Sequence, residues 1–166
     1  VTLELLCSDL AGDHQALHSL LDGLELEVFA HNVECVPRLD SVVRDARASF
    51  EQSIGILVEA KRLRPDILTK SSIMVGLGET DDEIIETLQL LRDANVDLVT
   101  IGQYLAPSPS HLAVDRFPEP AKYDEWSSYI EEIGFLGWAC GPLVRSSYRA
   151  GDLLAKASAR LRTYRE

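Results

Sequence analysis

The hydrophobic positions of this chain change period as they run. Leu24, Leu26, Val28 and Ala30 alternate with Glu25, Glu27, Phe29 and His31, the period of two that marks a strand. Residues 1–8, 67–75 (ILTKSSIMV), 97–104 (DLVTIGQY) and 135–140 (FLGWAC) supply four more strand-like runs. Between the runs lie segments with signposted helix starts. Asp13 can cap a segment carrying Leu17, Leu20 and Leu21, which Gly23 can end. Ser49 and Gln52 make a capping box ahead of Ile54, Leu57 and Val58, and Thr80 and Glu83 make another ahead of Ile84, Leu88 and Leu91. Asp81, Asp82 and Glu83 also set negative charge against the positive end of that helix dipole. Pro120 can open a helix bearing Tyr123, Trp126, Ile130 and Ile133, closed by Gly134. A last helix starts near Asp152, with Lys156, Arg160 and Arg162 toward its C-terminus.

Strands alternating with helices predict an α/β fold with a parallel sheet. A βα unit takes roughly 30 residues, so the chain holds about five, whereas a complete eight-stranded barrel needs about 250 residues. The fold is therefore an open α/β sheet or a partial (β/α) barrel. Residues 1–150 carry the alternation, and 151–166 read as a helical tail. The irregular stretch 105–120, LAPSPSHLAVDRFPEP, holds four of the seven prolines. Leu112, Val114 and Phe117 make it too hydrophobic for a linker. It reads as an ordered loop over the strand ends, where α/β folds keep their ligands.

Composition removes several functions. Across 166 residues, 46% are hydrophobic and 26% charged, the balance of a soluble globular domain. A net charge of −11 argues against a nucleic-acid binder. No run of about 18 apolar residues is present to span a membrane. Cys7, Cys35 and Cys140 are an odd, widely spaced set, neither a disulfide framework nor a zinc pair. They read as buried small hydrophobes in a reducing compartment. The chain opens at Val1 without signal-peptide character, as a processed product, a fragment or part of something longer would.

Five segments could carry chemistry. His31-Asn32-Val33-Glu34 ends the second strand, where polar side chains face a ligand or merely form a turn. Met74 to Thr80 runs from strand through Gly76 and Gly78 to a capped helix, either a backbone approach to a ligand or a plain βα turn. It is not G-x-G-x-x-G. Lys70, early in its strand, must be paired inside the sheet or snorkel to its end. Gln103 and Tyr104 end the next strand, and the ring can stack on a ligand or pack in the core. Arg145-Ser146-Ser147-Tyr148 places two hydroxyls beside an arginine, suited to anion or metal work or to a helix cap. None of His14, His18, His31 and His111 has an evident serine partner.

The ordered set HN-x-E, MVGLGET, TIGQYL-x-PS, HL-x-V and GPLVRSSY is specific, and from residue 1 to about 155 the chain resembles the C-terminal half of the lipoyl synthases, radical S-adenosylmethionine (SAM) enzymes. The resemblance implies a partial (β/α) barrel of the radical SAM type. It implies two 4Fe–4S clusters, one binding and cleaving SAM, the other sacrificed as a sulfur source. Two sulfur atoms enter at C6 and C8 of an octanoyl chain carried on a lysine of a lipoyl carrier domain. By position Ser147 matches the family's serine ligand to the second cluster, a harder donor than thiolate. Asn32 and Glu34 match the residues that hold the ribose and amino-acid ends of SAM. Gly76, Gly78 and Glu79 match the loop passing the adenine. Gln103 and Tyr104 lie at the same rim, and Lys70 joins this cofactor-binding set. Arg145 is the candidate catalytic residue, steadying charge near the second cluster.

Two departures stand out. Cys35 occupies the threonine position of HNxET. Larger is the lack of C-x3-C-x2-C and C-x4-C-x5-C motifs, because Ser147 alone cannot hold a cluster that needs about four protein ligands. The resemblance therefore implies that an N-terminal half or another chain covers the open barrel edge and supplies the cysteines. A mitochondrial matrix, plastid stroma or bacterial cytoplasm would suit it. The alternatives are a non-catalytic or split-enzyme subunit derived from this family, and an unrelated nucleotide-binding α/β domain.

Overall fold

The computed structural model describes residues 2–163. Five strands, β1 (Glu4–Leu6), β2 (Val28–Ala30), β3 (Leu68–Val75), β4 (Leu98–Gln103) and β5 (Gly137–Gly141), form one sheet. They pair in sequential order and all in parallel. Helices α1 (His14–Leu21), α3 (Phe50–Leu63), α4 (Asp81–Asp93) and α5 (Pro120–Glu132) cross between them, with the single turn α2 (Asp40–Val43) ahead of α3 and α6 (Ala150–Thr163) at the end.

The helix starts follow the local chemistry. Asp13 Oδ1 accepts from the Gln15 and Ala16 N–H groups at 2.9 and 3.0 Å. Thr80 and Glu83 make the full reciprocal box. The box at Ser49 is half made: its hydroxyl accepts from Gln52 N–H at 3.1 Å, but the Gln52 amide turns away to Asp9 Oδ2 at 2.7 Å. Pro120 opens α5, and Gly23 and Gly134 follow their helices at φ 67° and 86°. The first two strands are shorter than their hydrophobic runs. Residues 24–27 approach the sheet as irregular backbone, and β1 is paired on one side only.

Side chains of a strand alternate between faces, and along β2, β3 and β4 both faces of the sheet are buried. Phe29, Ile73, Val75, Val99 and Ile101 pack against Leu17, Ile56, Leu57, Leu88 and Trp126 of α1, α3, α4 and α5 in one core. At about 1.5–3 kcal/mol for each fully buried large side chain, this layer dominates stability. The opposite parity, Val28, Leu68 and Leu98, packs against Ala157 of α6, with Leu154 and Leu161 beside it. The last helix thus lies inside the curve, at the N-terminal ends of the strands. It begins at Ala150, two residues before the expected start. Sequential strand order with the crossover helices in one core has no switch point, which is unlike a doubly wound sheet and fits a partial (β/α) barrel.

Lys70 lies on the inner face and is 1% exposed. It does not snorkel. Its side chain reaches to the edge strand, where Nζ donates to Glu4 Oε1 at 2.6 Å. Lys70 stands in register with Ala30, whose small side chain leaves room for the crossing.

Candidate functional site

Four strand ends build a cavity of about 170 Å³ at the C-terminal side of the sheet. It is lined by Asn32 and Glu34 after β2, by Ser72 and Met74 of β3, by Gly102 and Gln103 of β4, and by Val144, Arg145 and Ser146 after β5. Beyond β2 the chain bulges and rejoins the sheet at Glu34, which donates through N–H to Ser72 O at 3.1 Å and accepts from Met74 N–H at 2.8 Å. That return holds Glu34 at φ 70°, a left-handed conformation that costs a non-glycine residue on the order of 1 kcal/mol. Its carboxylate meets the Asn32 amide, Nδ2 donating at 3.1 Å, and both side chains stay half-buried. Beneath them the Thr100 hydroxyl donates to Ser72 Oγ at 2.8 Å.

Past β5 the chain turns back. Val144 N–H donates to Gly141 O at 3.1 Å and Tyr148 N–H to Arg145 O at 2.8 Å. Val144 is buried, Ser146 is half-buried, and Arg145 and Ser147 are exposed. Of the two serines, Ser146 lines the cavity and Ser147 lies outside its lining.

The glycine loop after β3 is different. Glu79, 4% exposed, points into its own turn, where Oε1 accepts from Gly76 N–H at 2.8 Å and Oε2 from Leu77 N–H at 2.9 Å. Gly76 and Gly78 sit at φ 95° and 103°, and a Cβ on Gly76 would stand 2.4 Å from Arg116 O. Gln103 Nε2 donates to that same carbonyl at 3.1 Å and to Tyr104 O at 3.0 Å. Its Oε1 accepts from the Tyr123 hydroxyl at 3.3 Å. The Tyr104 hydroxyl donates to Leu112 O at 2.9 Å. Arg116 closes the knot on Asp81 Oδ1 at 2.9 Å. Burial raises the Asp81 carboxyl, but Arg116 and Lys122 outweigh it and hold it below the usual range.

The 105–119 loop therefore lies over the ends of β3 and β4 through its backbone. Leu112 and Phe117 stay exposed, and Leu105, rather than Leu112, Val114 or Phe117, lines the cavity. Of the sequence-derived site residues, Asn32, Glu34, Gln103 and Arg145 share the cavity. Gly76, Gly78, Glu79 and Tyr104 form the adjoining knot, and Lys70 sits lower on the inner face, outside the cavity lining. Ser72 and Met74 lie in candidate segments but were not assigned to the site, and Gly102 was missed. Only their parity with Lys70 along paired strands could have revealed them.

Two histidines do have serine partners. His31 bridges Cys7 O and Ser53 Oγ, both at 2.9 Å, facing the helices, and its burial lowers its pKa. His111 Nδ1 meets Ser108 Oγ at 2.8 Å on the exposed loop. Burial pushes the Cys35 and Cys140 thiols up to about 12 and raises Cys7 as well, so none offers a ready thiolate. Among the described residues no three His, Cys, Asp or Glu side chains converge as a metal site, and no helix is long and apolar enough to cross a membrane.

No family model matches the chain. Curated proteins do. It is 52% identical over 156 residues to the chloroplastic lipoyl synthase of Arabidopsis thaliana, covering 94% of this chain and 39% of that protein. The chain is homologous to the lipoyl synthases. The mitochondrial lipoyl synthase of Xenopus laevis is 47% identical, and that of Homo sapiens 46%, each over 94% of this chain and 42% of its own length. The chain thus spans about two fifths of the lipoyl synthases it matches, consistent with a fragment covering the C-terminal part of the enzyme.

Proposed function

We propose that this chain forms the C-terminal wall of a lipoyl synthase, an enzyme that inserts sulfur at C6 and C8 of a carrier-bound octanoyl chain. The observation that carries the reading is the meeting of Asn32 and Glu34 with Arg145 and Ser146 around one cavity, from opposite ends of the sequence. SAM fits these residues. Asn32, Glu34 and Ser72 offer hydrogen-bonding groups to its ribose and amino-acid ends, and Ile73 and Met74 offer an apolar wall. When bound beside a reduced cluster it supplies the radical that abstracts hydrogen. Glu34 orients the amino-acid end through its carboxylate, and Arg145 balances negative charge at the mouth. Gly76, Gly78, Glu79, Gln103 and Tyr104 shape the rim.

The donor set does not fit a 4Fe–4S cluster on its own: among the described residues no three His, Cys, Asp or Glu side chains converge as a metal site, and Ser147 alone cannot hold one. The cysteines must come from outside these 166 residues, and Ser147, exposed after β5, would complete the coordination of the second cluster. The partners of the site are then the cysteine-bearing half, packed on the open β1 edge, and an octanoylated lipoyl carrier domain. A mitochondrial, plastid or bacterial interior suits that chemistry.

The test is reconstitution with the cysteine-bearing N-terminal part of the Arabidopsis relative. Lipoylated carrier should form with the intact chain. Ser147→Ala should abolish it while SAM cleavage persists, and Ser146→Ala should do much less. Equal losses from the two serine variants would reject the assigned role.

A further inference from the structure

Gly102 lies inside β4, where glycine weakens a strand and marks close approach by another backbone. The approaching group is the carbonyl of Val144. A Cβ built on Gly102 would lie 2.2 Å from Val144 O and 3.5 Å from Arg145 Nη1. The same carbonyl accepts from Arg145 Nη1 at 2.7 Å. It is therefore held between the bare α-carbon of one strand and the guanidinium that follows it.

We infer that Gly102 is a positioning residue for the Arg145–Ser147 run: its missing side chain lets residues 142–148 close onto the inner face of β4. The inference rests on the function proposed above for its catalytic meaning, but its geometry stands alone. A methyl group at 102 forces the segment back by about 1 Å to regain an ordinary contact, and such a displacement of a reacting group costs on the order of 100-fold in rate. The obstacle is backbone, so no change of rotamer relieves it.

Residue-resolved hydrogen exchange on the full 166-residue chain tests this. In Gly102→Ala the amides of Val144 and Tyr148 should exchange roughly tenfold faster or more, because their turns loosen locally. The amides of Met74 and Tyr104, bonded to Glu34 O and Val75 O at 2.8 Å, should keep their wild-type protection. Gly151→Ala, with nothing within 4 Å, is the control and should change neither pair. Val144→Ala, which removes the buried side chain of the same segment while leaving Gly102 unchanged, should reproduce the signature. Wild-type protection at residues 144 and 148 in Gly102→Ala would overturn the inference. Loss of protection throughout the β3–β4 ladder, or failure of the variant to fold, would assign the glycine to sheet packing and overturn it too. In the reconstituted enzyme Gly102→Ala should lower product about 100-fold. Loosening without that loss would retain the geometry and reject the function assigned to Arg145 and Ser147.

Discussion

Two motif-rich regions flank the ends of β3 and β4, and they spend their polar groups in opposite ways. In the knot of Gly76, Glu79, Gln103, Tyr104 and Arg116, carboxylate, amide and hydroxyl are turned onto neighbouring backbone. Across the cavity, the Asn32 and Glu34 side chains hold each other, Arg145 gives one N–H to Val144 O, and Ser146 and Ser147 remain open to the cavity or to solvent. Both regions are equally recognisable as sequence. One is scaffold that fixes the shape of the rim, and the other presents groups that a ligand can use.

The largest test of this contrast is Glu79→Ala. Removing a buried carboxylate strands the Gly76 and Leu77 N–H groups, while Arg116 keeps Asp81, at a cost of about 3 kcal/mol in denaturant unfolding. Gln103→Ala should cost about 2 kcal/mol, because the Arg116 and Tyr104 carbonyls and the Tyr123 hydroxyl lose a partner together. His31 gives a smaller, pH-dependent effect. Burial lowers its pKa, so below the ordinary value of about 6.5 the unfolded chain takes up a proton that the folded chain refuses. Stability should therefore fall as pH drops from about 6.5 toward the folded-state value, and the same titration of His31→Gln should be flatter. On the open side the effects on folding should nearly vanish. Glu34→Gly should be neutral to about 1 kcal/mol more stable, since glycine accepts φ 70° freely, yet it removes the carboxylate that SAM would meet. Ser147→Ala should stay within about 0.5 kcal/mol of the parent. A large stability loss at Glu34 or Ser147, or a small one at Glu79, would collapse the distinction.

Much of this fold could be read locally. Asp13, Thr80, Glu83 and Pro120 act within a few residues of themselves, and each starts its helix where the pattern places it. The five strands and their parallel order follow from alternation alone. What was hidden depends on distant partners. Gln52 abandons its capping box for Asp9, 43 residues away. The run 24–31 alternates correctly, but only residues 28–30 reach the β1 and β3 ladders. Glu79 reads as a ligand-facing acid in a glycine loop, because nothing in the sequence shows that its nearest donors are the loop's own N–H groups. The close approach of Val144 to Gly102 gave no signal until the chain after β5 was seen to return across it.

The buried lysine of the inner face bears on how the molecule assembles in time. Lys70 and Glu4 are 66 residues apart, against 28 for Thr100 and Ser72. By loop length alone the longer closure costs only about 0.8 kcal/mol more. The decisive difference is solvation. Strands β3 and β4 can zip while the Lys70 ammonium is still hydrated, but the interior cannot dry until a carboxylate arrives to replace that water. The carboxylate is carried by a three-residue edge strand with little pairing of its own. Docking of β1 and expulsion of water become one event, late in folding, and a chain that has not yet captured its first strand keeps a wet, open interior.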